Sequence, residues 1–316
     1  MKGLELSRQF YEAWGKPMIM EQFSEYVPFI AAGVAGEGSD CLGYDDEISR
    51  DHDFEAGFCL WIPDRLEREL EFKLSRAYGK LPEEFMGVKR APASFGAGNR
   101  RGVILTGDFY RRFTGRPGLP ESLMEWLYTP EYSLACAVNG AVFQEADEEF
   151  CRVRKELQKG YPEDVRRKKM AARVIFMAQA GQYNLGRCLK RGERGAAALC
   201  LTEFVQNALS LLFLLNGKYM PYYKWSFRAA RELSAEMEQA GRLTEKLTFL
   251  VTEGLCSDEA EKRARETVEE ICRELLDELR AQELTNGPWD YLEPHAYEIM
   301  ERIQDGEIRN LHVMEG

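Results

Sequence analysis

The sequence predicts an α+β protein in which a mixed N-terminal sheet with flanking helices is followed by an all-helical C-terminal part. Short strand-like apolar runs alternate with helical patterns up to about residue 147, whereas helical patterns dominate from residue 148 onward. The chain has 316 residues, of which 45% are hydrophobic and 30% charged, a composition typical of globular proteins. This length suffices for about two domains, and we predict them at residues 1–147 and 148–316.

The first part contains three predicted strands and two predicted helices. Four-residue apolar spacing predicts a helix over residues 5–25, and the apolar run at 27–34 predicts a short buried strand. Apolar residues at period two predict a second strand over 53–62. Pro63 is expected to open the next helix, because proline is tolerated at the first helical position, and residues 103–106 form the third predicted strand. This alternation indicates a sheet covered by helices.

The second part is predicted to be helical throughout. Apolar residues recur there at three- and four-residue spacing, in segments interrupted by glycine, proline or asparagine. No internal repeat is evident, which argues against a stacked-repeat architecture. The predicted helices cover roughly residues 148–158, 163–181, 183–191, 195–216, 225–239, 241–254, 258–282 and 290–304.

Charge is distributed unevenly along the chain. The 42 Lys and Arg residues stand against 53 Asp and Glu, a net charge of −11, which disfavours general duplex-DNA binding because phosphate neutralisation needs a cationic surface. Residues 152–194, however, have a local balance of +9. Two interpretations stay open for this basic segment: a solvated helix face, or a face that meets an anionic ligand. Its densest run, Arg166–Lys169, spans the whole circumference of a helix.

The sequence predicts a cytoplasmic protein with no membrane association. The N-terminus lacks the apolar run of a signal peptide. The most apolar segment, 208–215, has eight residues, whereas a membrane span needs about 20. The eight cysteines include no CxxC pair, so we expect reduced thiols rather than a zinc site or a disulfide framework.

The residues most suggestive of chemistry lie between the first two predicted strands. Gly38 and Ser39 follow the first strand; glycine lets the backbone approach a phosphate closely, and amides in such a turn bind anions. Asp51 and Asp53 are expected to project from one face of the second strand. A divalent cation such as Mg²⁺ would relieve the repulsion of the two carboxylates, and two such ions would clamp the attacking and leaving oxygens of a phosphoryl or nucleotidyl transfer.

This layout resembles the signature of the polymerase-beta-type nucleotidyltransferase superfamily. The resemblance rests on Gly38-Ser39 followed by Asp51-x-Asp53. It extends over roughly residues 30–235, where further stretches look like a bacterial two-domain branch similar to kanamycin nucleotidyltransferase: 160–162, 181–184 and 221–225. The resemblance implies that the Gly-Ser turn holds a triphosphate, expected to be that of ATP, and that the two aspartates bind Mg²⁺.

The resemblance also implies a third acid and contributions from the helical part. Members of the superfamily usually carry another acidic residue on a later strand; residues 103–106 contain none, so Asp108 just beyond is the candidate, with a helix N-cap as its alternative role. Arg50, Lys224 and Tyr223 complete the predicted nucleotide-binding residues. Lys224 would contact phosphate as a point charge and Tyr223 would stack on the base, with packing at a helix start as the alternative for both.

Further polar residues keep two interpretations. Residues 45–47 are either a functional acidic cluster or a solvated loop, and Glu203 and Asn207 face either a cleft or solvent. The glycine-rich stretch 94–102 precedes a strand instead of opening a helix, which contradicts a dinucleotide-binding fingerprint and favours a hairpin loop.

Together these features predict a Mg²⁺-dependent nucleotidyltransferase that moves a nucleoside monophosphate from a triphosphate to an acceptor hydroxyl or phosphate. The alternative is a weakly active or inactive nucleotide sensor, or partner-binding module, on the same fold. A scaffold built on the helical half is a third hypothesis. The acceptor stays open between a small molecule, a protein and an RNA end, and the oligomeric state is open as well.

Overall fold

The computed structural model describes residues 1–51, 54–66, 68–90, 100–146, 148–235 and 237–316, apart from the side chains of residues 50, 51 and 235. By its internal contacts the chain forms two compact units. The first comprises Met1–Pro120 with Ser133–Lys159, and the second comprises Glu121–Tyr132 with Gly160–Gly316.

The sequence predicted a domain boundary after residue 147, which would place the helix Glu148–Leu157 in the second part. The helix belongs to the first unit, because its Phe150 ring stacks on Trp61 with the ring centroids 4.0 Å apart.

A four-stranded mixed sheet forms the framework of the first unit, with the strand order β5-β2-β1-β6. Strand β1 runs antiparallel to both β2 and β6, whereas β2 and β5 are parallel. A separate two-stranded hairpin contains β3 and β4. The strands are β1 (Ala31–Val34), β2 (Cys59–Ile62), β3 (Glu84–Phe85), β4 (Val88–Lys89), β5 (Gly102–Leu105) and β6 (Ala141–Gln144).

Helices flank this sheet and make up the second unit, which confirms the predicted α+β class. In chain order the helices are α1 (Gly3–Phe10), α2 (Lys16–Gln22), α3 (Arg68–Gly79), α4 (Thr106–Thr114), α5 (Leu123–Tyr128), α6 (Glu131–Val138), α7 (Glu148–Leu157), α8 (Glu163–Met177), α9 (Gly186–Lys190), α10 (Arg194–Leu215), α11 (Tyr223–Glu232), α12 (Ala240–Thr252), α13 (Asp258–Ala281), α14 (Glu293–Glu301) and α15 (Gly306–Arg309). A π-helical turn, Tyr11–Gly15, joins α1 to α2, and another, Ala178–Leu185, joins α8 to α9.

Aromatic side chains fill the core of the first unit. Phe58, which precedes β2, contacts Phe10, Tyr11 and Tyr78 with ring centroids 5.0–5.6 Å apart. Burying such large rings is a major source of stability. Because the rings come from the continuous helical stretch of α1 and its π-helical turn and from α3, they hold both segments on the sheet.

The centre of the second unit is α10, which packs against α8. Its C-terminal half is almost entirely buried. Among the described helices, α10 is long and apolar enough to cross a membrane, but 67% of its most apolar stretch is buried inside the protein. A core helix can be equally long and apolar, so this is weak evidence for a membrane span.

Two predicted strands are shorter than expected. The strand predicted over 53–62 begins at Cys59, because the Phe58 amide donates to the Tyr78 hydroxyl at 3.1 Å instead of to a neighbouring strand. The strand predicted over 27–34 begins at Ala31, because Ser24–Phe29 forms a 3₁₀ helix around Pro28, a residue without an amide hydrogen for a sheet ladder.

Two further boundaries also differ from the sequence predictions. The helix expected from Pro63 begins later, with α3 assigned from Arg68, since residues 63–66 form a turn closed by Leu66 N and Pro63 O at 3.1 Å. Strand β6 was not predicted; it is assembled by pairing with β1, a contact between segments more than a hundred residues apart.

Candidate functional site

The Gly-Ser turn follows β1 as the sequence predicts. Gly36 and Gly38 adopt φ angles of 115° and 118°, which favour glycine. The Asn139 side chain holds the start of the turn, accepting from Gly36 N at 2.9 Å and donating to Gly36 O at 2.7 Å. The Ser39 carbonyl then accepts from the amides of Leu42 and Tyr44 at 3.2 and 2.8 Å. The backbone of this turn is therefore held from both sides.

Two arginines that sequence reasoning missed lie against this turn. Arg100 Nη2 donates to Asp40 Oδ1 at 2.7 Å and to the Glu37 carbonyl at 3.2 Å. Arg101 Nη2 donates to Asp40 Oδ2 at 2.5 Å. Both oxygens of Asp40 are thereby engaged by arginines, and two cations face one carboxylate. Their signal in the sequence was the Arg-Arg pair just before β5, which was assigned to the hairpin loop predicted at 94–102; residues 91–99 lie outside the described part.

Gly38 is required at its position for a second reason. A Cβ atom there would overlap the Arg100 guanidinium and the Asp40 carboxylate. The Arg100 side chain is 17% exposed, so its guanidinium reaches solvent beside the glycine. Backbone amides next to a partly exposed guanidinium form a suitable environment for a phosphate or another anion.

The predicted metal ligands can be placed only in part. Asp51 ends the 3₁₀ turn Ile48–Asp51, and β2 begins at Cys59, so the expectation that Asp51 and Asp53 sit two apart on one strand is wrong. Asp53 and the side chains of Arg50 and Asp51 lie outside the described residues. Among the residues described, no group of three or more His, Cys, Asp or Glu is arranged to hold a metal ion. The Mg²⁺ site therefore remains a prediction.

Asp108 lies in the first turn of α4, where its carboxylate pairs with Arg111 at 2.5 Å. It is not the N-cap of this helix, as the alternative interpretation proposed, since Leu105 occupies that position and the Asp64 carboxylate accepts from Gly107 N at 3.0 Å. One turn further along α4, Arg112 Nη2 lies 3.4 Å from Glu37 Oε2. The helix that carries Asp108 thus lies against the Gly-Ser turn.

The acidic loop 45–47 is not a uniformly solvated surface. Asp45 is buried, and its Oδ2 accepts from the Gly3 amide at 2.9 Å, which fixes the start of α1. Asp46 Oδ1 accepts from the amides of Ile48 and Ser49 at 3.0 and 3.1 Å. These hydrogen bonds lower the pKa of Asp46, with the Ser49 amide as the largest contribution. Both aspartates thus have structural roles.

Lys224 and Tyr223 belong to the second unit, at the start of α11. Lys224 is exposed, and its ammonium lies 5.1 Å from the centroid of the Trp225 ring. Tyr223 is 70% exposed and contacts Tyr222, with the ring centroids 4.4 Å apart. Both residues remain predicted nucleotide contacts.

A cavity of about 670 Å³ lies wholly within the second unit, a size typical of small-molecule sites. Glu203 and Asn207 line it, so neither is simply solvent-facing, and Asn207 Nδ2 donates to Glu203 Oε1 at 3.1 Å. The lining also includes four tyrosines, three further charged residues and several apolar side chains. The tyrosines are Tyr128, Tyr132, Tyr222 and Tyr223, and the charged residues are Glu131, Lys169 and Arg173.

The charged residues are organised around Glu131, which is 9% exposed. The Ser210 hydroxyl donates to Glu131 Oε1 at 2.8 Å, and Arg173 Nη2 donates to the same oxygen at 3.2 Å. Arg173 Nε in turn donates to Ser210 Oγ at 2.8 Å, and Arg173 Nη1 to the carbonyl of Gly316 at 2.9 Å. Four residues thus form one closed network in the cavity wall.

The basic run Arg166–Lys169 is not a solvated helix face. Arg166 and Arg167 are half-buried, and Lys168 and Lys169 are buried. Lys168 donates to the carbonyls of His312 and Glu315, both at 2.7 Å. Much of the predicted positive segment is therefore used inside the second unit.

Comparison with known proteins identifies a partial family match. The family described as a domain of unknown function (DUF4037) matches residues 126–226. A search of curated proteins finds no match. Among solved structures, a nucleotidyltransferase-like protein from Exiguobacterium sibiricum 255-15 is similar, with 14% sequence identity over 92% of this chain and 81% of that chain and a TM-score of 0.39.

At this identity and TM-score the structural likeness assigns no activity to the chain. The matched family segment contains every residue that lines the cavity except Gly316. Function is therefore inferred from the residues of the two sites themselves.

Proposed function

We propose that the protein is a nucleotidyltransferase that binds a nucleoside triphosphate, expected to be ATP, at the Gly-Ser turn and moves its monophosphate group to an acceptor hydroxyl or phosphate. The main observation behind this proposal is that the Arg100 guanidinium packs directly against Gly38. Two glycines with positive φ keep the turn free of Cβ atoms where the guanidinium approaches. The Asp51-x-Asp53 pair, thirteen residues after Gly38, supplies the sequence part of the proposal.

The described residues would act by binding and orientation. Amides of the turn and the Arg100 guanidinium would hold phosphate oxygens, and the Asp40 carboxylate would fix both arginines in place. Such preorganised positive charge lowers the barrier to phosphoryl-type transfers. Mg²⁺, if held by Asp51 and Asp53 as the sequence predicts, would supply further charge neutralisation.

A nucleotide sensor is the second candidate. It is favoured by the ion pair between Asp108 and Arg111, which engages the only acid proposed to complete the catalytic set. A sensor would keep the phosphate-binding turn and lack transfer.

Two measurements separate these functions. Calorimetry with ATP and with GTP, each with Mg²⁺, measures binding, and a pyrophosphate-release assay across candidate acceptors measures transfer. We expect Asp53→Asn to lower turnover by at least about 10²-fold, the scale of losing a key electrostatic group. Glu47→Gln is the matched control, because Glu47 is an exposed carboxylate of the same loop.

Full turnover in a folded Asp53→Asn variant would contradict the enzyme proposal. Nucleotide binding without pyrophosphate release under any condition would support the sensor. Absence of Mg²⁺-dependent nucleotide binding would contradict both and favour the scaffold hypothesis.

A further inference from the structure

Lys169 is a buried cation at the cavity wall that lacks an anionic partner. Its side chain is 3% exposed, and among the described residues its ammonium makes no hydrogen bond and has no carboxylate within 4 Å. A lysine is rarely buried unless it is paired, because removing the charge from water is costly. The arrangement therefore needs an explanation that the fold alone does not supply.

The groups facing Lys169 do not neutralise it. Glu131 is the nearby carboxylate, but Ser210 and Arg173 already occupy it. Arg173 is itself a second cation. The ammonium lies 5.3 Å from the centroid of the Tyr161 ring, which offers a weak cation–π attraction. Among the side chains of this wall, one carboxylate therefore faces two cations, and Arg173 also donates to the backbone oxygen of Gly316 at 2.9 Å.

Tyr161 adds a second group without a partner. Its hydroxyl is buried and has no hydrogen-bond partner among the described residues. Burial raises the pKa of Tyr161 well above its ordinary value, so it remains a neutral hydrogen-bond donor. Burial also lowers the pKa of Lys169 to about 8. Tyr161 does not line the cavity, whereas Lys169 does, so an anion in the cavity would relieve the cost of the buried lysine charge.

The rim of the cavity has a different character. Tyr132 and Tyr222 meet edge-to-face with ring centroids 6.0 Å apart, and Tyr222 contacts Tyr223 at 4.4 Å. All three rings are about half exposed or more, although large aromatic side chains usually gain by burial. Pro130, Pro221 and other apolar residues continue this wall.

We propose that this cavity binds a small molecule that carries a carboxylate or phosphate group on a planar, apolar body. The anionic group would pair with Lys169, and the planar body would lie against Tyr222 and Tyr223. Carboxylate and phosphate share the required charge and acceptor oxygens, and the cavity can enclose a molecule of this size. The site lies within the second unit. Its anion-binding residue, Lys169, is not among the predicted nucleotide contacts, although Tyr223 is common to both.

The test uses the full chain and four probes: phenyl phosphate, benzoate, inorganic phosphate and phenol. We expect calorimetry to show binding of phenyl phosphate or benzoate, and phenol to bind at least about tenfold more weakly because it lacks the charge. Tighter binding of benzoate would identify a carboxylate ligand, and tighter binding of phenyl phosphate a phosphate ligand. Near pH 8, binding should take up protons, because an anion beside Lys169 raises its pKa.

Two variants locate the site. Lys169→Met should weaken binding of the anionic probe at least about tenfold, the effect of losing one ion pair, whereas Lys262→Met, at an exposed lysine of the same unit, should leave it unchanged. The double variant Tyr222→Ala with Tyr223→Ala should weaken phenyl phosphate and benzoate without affecting inorganic phosphate. It changes only exposed side chains, so it also serves if Lys169→Met does not fold.

Two results would overturn the proposal. One is the absence of binding by either aromatic anion up to about 10 mM, a range that covers weak fragment affinities. The other is equal affinity in wild type and in both site variants.

Discussion

Arg101 Nη2 lies 2.5 Å from Asp40 Oδ2, and both side chains are almost completely buried in the first unit. The pair joins the residue before β5 to the Gly-Ser turn, 61 positions earlier in the chain. It determines where the neighbouring Arg100 guanidinium can lie, and so shapes the proposed phosphate site.

We expect Arg101→Met to lower the free energy of unfolding by about 3 kcal/mol. Breaking a buried ion pair from one side leaves an uncompensated charge, and Arg100 still pairs with Asp40, which limits the loss. Urea denaturation measures the change. Arg111→Met is the control, since its pair with Asp108 is largely exposed and should contribute at most about 1 kcal/mol. Equal losses in the two variants would show that the Asp40 pair is not specially important.

Gly38→Ala tests the phosphate-binding turn. We expect nucleotide affinity to fall at least about tenfold, because the added methyl group would displace the Arg100 guanidinium that contacts phosphate. Gly43→Ala controls for backbone strain: Gly43 also has a positive φ, of 70°, and nothing lies within 4 Å of its added Cβ. Gly43→Ala should lose about 1 kcal/mol of stability from backbone strain, and Gly38→Ala should lose more, because its Cβ also overlaps Arg100 and Asp40. Equal nucleotide affinities in the two variants, measured by calorimetry, would contradict the proposed role.

Lys169→Met is expected to stabilise the protein at pH 7 by up to about 3 kcal/mol. Burial lowers the pKa of this lysine from 10.5 to about 8, with Glu131 opposing and Arg173 reinforcing the shift, and each pKa unit corresponds to about 1.4 kcal/mol. The folded state releases the proton first, so wild-type stability rises between about pH 8 and 10.5. Removing the charged group should therefore help most at pH 7 and least near pH 10.

Urea denaturation at several pH values measures this difference, and Lys262→Met should show no such trend. A loss of stability at pH 7 would mean that Lys169 is neutralised in the folded protein without any ligand. Higher stability together with weaker anion binding would identify a lysine retained for binding.

Glu298 should make the second unit sensitive to acid. Burial alone would raise the pKa of Glu298. Hydrogen bonds from the Thr285 hydroxyl and from the amides of Asn286 and Gly287 lower it by more than burial raises it, so the pKa is lowered overall. A carboxylate with a lowered pKa stabilises the fold above its unfolded pKa, and this contribution is lost as the pH falls through the folded value. Glu298→Gln should cost at most about 1 kcal/mol at pH 7, because solvent screens this partly exposed carboxylate.

That cost should begin to shrink as the pH falls below the unfolded pKa of glutamate, about 4.3, and should disappear only when the pH has fallen through the lowered pKa of the folded carboxylate. Chemical denaturation at pH 7 and pH 3.5 measures it, with Glu301→Gln as the control at an exposed position of the same helix. A cost that is independent of pH would show that the hydrogen bonds to Glu298 do not depend on its charge.

Much of the framework could be predicted because its signals are local. Apolar spacing located most of the helices from residue 160 onward and the strand Gly102–Leu105, since periodicity depends only on neighbours along the chain. It did not predict the short helices α5 and α15. Gly38 was identified from a local signal as well, a Gly-Ser pair directly after a predicted strand, and the structure adds that its φ of 118° favours glycine.

The ends of β1 and β2 could not be predicted in this way. The Tyr78 hydroxyl accepts the hydrogen bond of the Phe58 amide, so β2 begins only after Phe58. Nothing within residues 53–62 indicates such a partner. Strand β6 likewise forms because its backbone pairs with the free edge of β1. Pairing of this kind depends on residues far apart in sequence.

The sequence by itself determined the α+β class, the Gly-Ser turn and a strongly basic segment. Only the tertiary structure decided which charged side chains form ion pairs and which are buried. It placed Arg100 and Arg101 against Asp40, and it buried Lys169 beside a cavity instead of leaving it in solvent. The physical reason is that a residue's type fixes its charge, whereas desolvation and pairing, which set the cost and the use of that charge, arise only when distant segments pack together.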